Sequence, residues 1–477
     1  MSIKLDFLLD ATLDCSPTIM VSILLEDTLC DFFAAEDLRN NILPRERIFV
    51  AYNPISGACL DSSIEHNTKY VFQQWRSAVR DTDPVTNLVL MPQRMAWMLG
   101  RMRVIFFRKN GADDEQEDKN FENVQGDLER TIAVIASETR FNPVLCDSLS
   151  EAREIIGDSQ IIPFLPADGF QSSRHYNGLD THYDLLSKRA LAFSGLPTPK
   201  AQVVDFCFSG TARSNPTVGE EVSRAIGIIR DQVPPFVLKC NSAGGGKAVY
   251  IVRTSEDHTN VEKEIGEHLQ TDLPTLYEGN AYLNPYSLIL TKLLPGTATN
   301  INFFVTYDGT ARFSSACEQI ISTSGHWEGG RIIYSAQNNL GKLFVTIMQK
   351  AATYLHSRGY HGPAGIDIMT DEGGEQNIVD LNPRPTGSFI LGCLRKHFVE
   401  TLEFDCACTL PVMEIHKSRA HFTQCFESQL NIGQIIVLAW YSSPGNTNSL
   451  ACLAVGDKNI ESLKKTCGAI EQLVCGE

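Results

Sequence analysis

Long apolar runs are missing from this chain. In 477 residues the longest of them, such as Ile435 to Tyr441, stop far short of the roughly 20 apolar residues that a membrane-spanning helix needs. A basic segment followed by a long apolar core is missing as well, because Asp6, Asp10 and Asp14 interrupt the N-terminal apolar residues. No leader or membrane partner is therefore expected. Positive charge is in deficit: 41 Lys and Arg against 57 Asp and Glu leave a net charge of −16, which argues against nucleic acid or an anionic membrane as partner. The 14 cysteines contain no CxxC pair and no Cys/His metal spacing. Cys406 and Cys408 would share one face of an extended strand, too close in sequence for a sound disulfide, so free thiols in a reducing, cytoplasmic compartment are expected. The 11 histidines do not cluster either, and His416 and His421 are read as solvent-facing. There is no GxGxxG, no Walker A loop and no internal repeat.

What remains is an ordinary globular composition, 43% hydrophobic and 21% charged, in a chain long enough for about three domains. Its organising stretch is Gly362 to Ser388. Two short apolar runs, Gly365 to Met369 and Asn377 to Leu381, flank Asp371-Glu372-Gly373-Gly374, a turn sequence in which glycine supplies the conformation other residues resist. An antiparallel hairpin follows, with Asp367 on one strand and Asp380 and Asn382 on the other. Two carboxylates and an amide oxygen form a hard, all-oxygen set suited to Mg²⁺ holding a polyphosphate. Arg384, two residues further, offers a planar fork to an anion. A surface hairpin with polar tips is the plain alternative.

A second signal lies upstream. Phe236 to Cys240 reads as a strand, Asn241 to Lys247 as a loop with Gly244, Gly245 and Gly246, and Ala248 to Val252 as a second strand. Three glycines let backbone N–H groups approach phosphate oxygens, and Lys239 and Lys247 add positive charge. Residues 257 to 270 read as a helix with Val261, Ile265 and Leu269 inward, and residues 340 to 358 as another that leads into the hairpin. Ala311 to Ile321 reads as a strand bearing Glu318, a third acid or an amine anchor if that strand borders the hairpin. Ser322 to Arg331 is expected to be a Gly-rich loop. In the N-terminal third, runs at 47–52, 87–91, 102–107, 144–146 and 160–165 read as strands, and 127–140 and 150–156 as helices, an alternation that predicts an open α/β domain. Beyond residue 389 the tail is expected to add two strands and a final helix with no chemistry of its own.

The order of these signals resembles the ATP-grasp superfamily over roughly residues 183 to 392. That resemblance implies an α/β architecture of the ATP-grasp kind: an N-terminal open α/β domain (1–182), a small nucleotide-binding lid (183–290), a larger mixed-sheet metal domain (291–395) and a C-terminal α/β appendage (396–477). It also implies roles. Asp367, Asp380 and Asn382, with Glu318 as a further acid, would bind Mg²⁺ or Mn²⁺. Lys188, Lys239, Gly244, Gly245, Gly246 and Lys247 would hold the phosphates of ATP, and the segment Leu288 to Gly296, with Lys292 and Leu294, would clasp adenine. No acid follows Gly296, so ribose recognition would differ from the family's usual form, with Asn300 or Asn302 in that part. Arg384 and Asn382 would be catalytic. Most members join a small-molecule carboxylate to an amine through an acyl phosphate and release ADP and phosphate; a stand-alone cytoplasmic ligase, as monomer or homodimer, is the expected form. A carboxylase-like or phosphorylating enzyme and a non-catalytic nucleotide-binding protein are the alternatives.

Overall fold

The computed structural model describes residues 21–42, 46–50, 69–72, 85–107, 124–206, 217–242, 248–276, 286–296, 298–321, 327–442 and 448–475. They build three sheets. The first is parallel, with strands β1 (Arg47–Val50), β2 (Arg103–Phe107), β3 (Asn142–Cys146), β4 (Gln160–Pro163) and β5 (Arg174–His175) in the order β3-β2-β1-β4-β5. Its central strands β1, β2 and β4 are near-continuous buried runs, as expected of parallel strands inside a sheet. Residues 85–96, whose first part was expected to be a strand over 87–91, are instead helical. Leu88, Val89 and Leu90 are all buried, and an apolar run buried on every side has no period by which helix and strand differ.

The second sheet is antiparallel and small: β6 (Ala201–Phe206), β7 (Phe236–Cys240), β8 (Val249–Val252) and β9 (Tyr286–Lys292), in the order β6-β9-β7-β8. Helices Val218–Arg230 and Ser255–Asp272 pack on it through Val222, Ala225, Ile229, Val261, Ile265 and Leu269. Each helix begins with a reciprocal cap, Thr217 with Glu220 and Thr254 with Asp257, in which the two side chains satisfy orphan N–H groups at the helix start.

The third sheet holds eight antiparallel strands: β10 (Thr299–Val305), β11 (Ala311–Ile321), β12 (Trp327–Ile333), β13 (Gly362–Thr370), β14 (Gln376–Asn382), β15 (Cys406–Ile415), β16 (Ile435–Ser442) and β17 (Ser449–Asp457). Their order is β14-β13-β10-β11-β12-β15-β17-β16. Helix Gln337–Ser357 covers one face at its β14 end, through Phe344, Ile347, Met348, Ala351 and Leu355. The C-terminal tail thus does not stand as an appendage with its own sheet; β15, β17 and β16 extend the sheet that bears the hairpin. The strand β12 that joins the two halves occupies the second half, 327–331, of what was expected to be a loop over 322–331; residues 322–326 lie outside the described residues. Its glycines are there for close approach. A Cβ on Gly329 would overlap the Thr409 carbonyl oxygen, and one on Gly330 would press on Ser388. Among the described residues the cysteines are free thiols, and no helix is long and apolar enough to cross a membrane.

Candidate active site

The hairpin forms as expected. Strands β13 and β14 pair antiparallel, with Asp367 directly opposite Asp380 and Gly365 opposite Asn382. Alternation along β13 puts Ile366 and Ile368 on the helix-covered face and Asp367 on the other; on β14 a bulge at Val379, between the Asp367–Asp380 and Ile368–Ile378 pairs, lets Ile378 join the isoleucines while Asp380 stays opposite Asp367. Asp367 accepts from Asn300 Nδ2 at 2.6 Å and from the Gln319 amide. Burial first, and the neighbouring Asp380 second, push its carboxyl up to about 7. Asp380 moves the opposite way: Lys188, Lys239 and Arg384 outweigh its burial and hold it below the ordinary carboxylate range. One proton thus belongs to a crowded pair of acids, and it rests on Asp367.

Two lysines close over the pair from the small sheet and its entry helix. Lys188 Nζ donates to Asp380 Oδ1 at 3.1 Å, and Lys239 Nζ to the Val379 carbonyl at 2.6 Å. Lys188 starts the short helix Lys188–Ala192, which is held on β7's end by Asn241: the Lys188 N–H donates to the Asn241 carbonyl, while Ser187 Oγ and the Arg189 N–H donate to its Oδ1. Burial pulls Lys239 down to about 8, against the attraction of Asp380. Arg384 follows at the open end of β14. Its guanidinium donates to Asn382 Oδ1 at 3.0 Å and to the Pro385 carbonyl, and lies 5.1 Å from the Phe164 ring centroid. Behind it a small hollow is bounded by Ile162, Tyr176, Asn177, His182 and Tyr360. His182 there is 4% exposed and held neutral, at about 3, by burial.

Five residues expected at the site therefore do converge: Asp367, Asp380, Asn382 and Arg384 on the hairpin and Lys188 across from them, with Lys239 anchored one residue from Asp380. Glu318 does not. Strand β10 separates β11 from β13, and Glu318 shares the parity of Ala316, which faces the covering helix. It is turned to Arg331, whose Nε donates to it at 3.1 Å. The next residue, Gln319, reaches Asp367 in its place. Asn300 and Asn302 are also committed elsewhere: Asn300 Oδ1 accepts from Thr386 and Ser388, and Asn302 Oδ1 from Thr386 at 2.6 Å. Both are buried, so neither is placed to meet a ribose. Lys292 and Leu294 lie at the end of β9 and make no side-chain contact with the carboxylates among the described residues. Gly244, Gly245, Gly246 and Lys247 lie outside the described residues. Missed by sequence reading were Gln319, Thr386 and Ser388, which with Asn300, noticed there only for a ribose, brace Asp367 and the 384–388 turn, and Phe164 under Arg384. For Asn300 and Gln319 the signal was a polar residue in a central strand; Thr386, Ser388 and Phe164 gave none.

The donor set fits a hard divalent cation. Two facing carboxylates, one of them raised by burial and then by its neighbour, are the arrangement a cation would relieve, and an amide oxygen lies beside them. No cluster of three or more His, Cys, Asp or Glu side chains occurs among the described residues, so such an ion would keep coordination places for water or phosphate oxygens.

Residues 214–388 match the ATP-grasp domain family. No curated protein sequence matches the chain. Among solved structures, an N5-carboxyaminoimidazole ribonucleotide synthetase in complex with ADP superposes with a TM-score of 0.50 at 13% identity, covering 90% of this chain and 97% of that one. The same enzyme from Thermus thermophilus gives 0.48 at 13% identity, covering 90% of this chain and 98% of that one. An L-amino acid ligase from Bacillus licheniformis gives 0.48 at 11% identity, covering 90% and 97%. The matched segment runs from the cap of helix Val218–Arg230 to the 384–388 turn and takes in Lys239, Asp367, Asp380, Asn382 and Arg384, so residues 214–388 of this chain carry an ATP-grasp domain.

Proposed function

We propose that this protein is an ATP-dependent ligase that joins a carboxylate to an amine through an acyl phosphate, releasing ADP and phosphate. The observation behind this reading is the juxtaposition of Asp367, Asp380 and Asn382 with Arg384 on one hairpin, under Lys188 and Lys239. In it Asp367, Asp380 and Asn382 would hold magnesium, whose charge would offset that of the ATP phosphates. Lys188 and Lys239 leave their β14 acceptors for phosphate oxygens. The carboxylate oxygen of the substrate then attacks the γ-phosphorus and ADP leaves, giving an acyl phosphate. The amine attacks the acyl carbon, the C–O bond to phosphate breaks, and the amine proton is released with phosphate.

Arg384 suits the second step. Its fork lies at the end of β14, next to Asn382, where the oxyanion of the tetrahedral intermediate would form. Phe164 holds the guanidinium plane from the first sheet, so the group is set before substrate arrives. A protein that only held nucleotide would have no use for such a group.

The test is nucleotide product analysis with panels of amino acids, short carboxylic acids, amines and bicarbonate. ADP and phosphate that appear only with an acid and an amine together support the reading. AMP and pyrophosphate would overturn it, and ADP formed with bicarbonate but no organic acid would make the enzyme carboxylase-like. Arg384→Ala should lower turnover roughly 100-fold, the effect of removing one oxyanion donor, with little change in nucleotide affinity.

A further inference from the structure

We infer that Cys408 and Cys467 form a peroxide-responsive dithiol that closes to a reversible disulfide between β15 and the C-terminal helix Ile460–Cys475. Their sulfurs lie 3.4 Å apart although 59 positions separate them in sequence. A disulfide needs about 2.05 Å, so the sulfurs must approach by roughly 1.4 Å, within reach of side-chain rotation and a small helix shift.

The two thiols differ in the way such a pair requires. Cys408 is 3% exposed on a central strand, whereas Cys467 is half-buried on the outer helix. Cys467 is therefore the less shielded of the two, and Cys408 lies behind it. The shared hydrogen bond holds the Cys467 thiol below its ordinary range and the Cys408 thiol above it. Arg331, directly across from Cys408 in the β12–β15 register, adds positive charge. Asp457, from β17, and Glu471, on the helix itself, oppose it at Cys467. Among the described residues no other two cysteine sulfurs share a hydrogen bond, and Cys425, though exposed, has no thiol beside it.

The chemistry balances with a peroxide as oxidant. The Cys467 thiolate attacks one peroxide oxygen, the O–O bond breaks, and an alcohol or water leaves with a proton, giving a sulfenic acid. Cys408 sulfur attacks the Cys467 sulfur. The S–O bond breaks, the S–S bond forms, and water leaves with the Cys408 proton. Two thiols lose two electrons and the peroxide gains them; a dithiol reductant reverses the change.

The experiment uses the full chain, reduced, desalted, treated with equimolar hydrogen peroxide, alkylated and digested without reductant. The expected product is a cross-linked peptide containing Cys408 and Cys467 that disappears with dithiothreitol and forms about 10-fold faster than Cys425 is oxidised. Cys408→Ser should leave a sulfenic acid on Cys467 that dimedone traps, and Cys467→Ser should leave Cys408 alkylated. If Cys408→Ser fails to fold, mapping of the wild type decides alone. Both thiols alkylated while Cys425 is oxidised, or Cys467 bonded to Cys406, would overturn the inference. Neither outcome touches the nucleotide reading, which involves none of these residues.

Discussion

Asp367 and Lys239 make the site's own pH dependence. Held at about 7, Asp367 keeps a proton in the folded chain that an unfolded carboxyl, at about 4, has already lost. The native state binds more protons across that window, so the stability of the nucleotide-free protein falls as pH rises from about 4 to about 7. Asp367→Asn should flatten that slope and raise the melting temperature near pH 7; melting curves across the window check it, and an unchanged slope would assign the titration elsewhere. Lys239, at about 8, works in the other window. Between about 8 and 10.5 the unfolded lysine holds a proton that the native one has lost, so stability rises with pH there. Lys239→Met should remove that rise. It should also weaken ATP binding by about an order of magnitude, read by calorimetry, because a desolvated ammonium–phosphate contact is lost.

At the scale of elements, register and glycine decide the geometry. A one-residue slip between β13 and β14 would put Asp367 on the face of helix Gln337–Ser357, so the buried isoleucines of the hairpin fix the carboxylates indirectly. Strand β12 is the join between the catalytic half of the sheet and its C-terminal half, and Gly329, at φ +135°, lies there against the Thr409 carbonyl. Gly329→Ala should cost about 3 kcal/mol, from overpacking and backbone strain together. Gly195→Ala, at φ +74° in open space, should cost only about 1 kcal/mol. Denaturant titrations of the pair measure the difference, and equal costs would mean that β15 gives way at Thr409.

For the whole molecule, the small four-stranded sheet has an apolar core of its own, from Val204 and Phe206 through Leu269 to Leu290, distinct from the cluster beneath the eight-stranded sheet. Its described polar ties to the large sheet are few, chiefly Lys188 to Asp380, Lys239 to Val379 and the Ile378 N–H to the Pro197 carbonyl. Amides of β7 and β8 should therefore exchange with solvent sooner than those of β10 and β13, through opening of the small sheet alone. Adding MgADP should slow exchange in β7 and β8 and leave β15 to β17 unchanged. Equal protection with and without nucleotide would place the nucleotide away from this sheet.

The hairpin with Asp367 facing Asp380, and the strands on either side of the glycine loop before it, were legible in the sequence because they rest on local rules, glycine at turns and alternation along strands, whereas Lys188 was singled out only by the resemblance to the ATP-grasp superfamily. What tertiary structure alone decided was pairing. Glu318 and Gln319 both lie on β11, and which of them meets Asp367 across β10 depends on the face of the sheet each side chain takes, which is fixed by packing against a helix distant in sequence. Residues 85–96 became helix, and Trp327–Ile333 became a strand, because burial on every side and close approach of Thr409 outweigh local preference. The proton on Asp367 belongs to the same class. A carboxyl's charge follows from what folding brings within a few ångströms of it, and no stretch of sequence contains both that acid and the lysines that hold its neighbour.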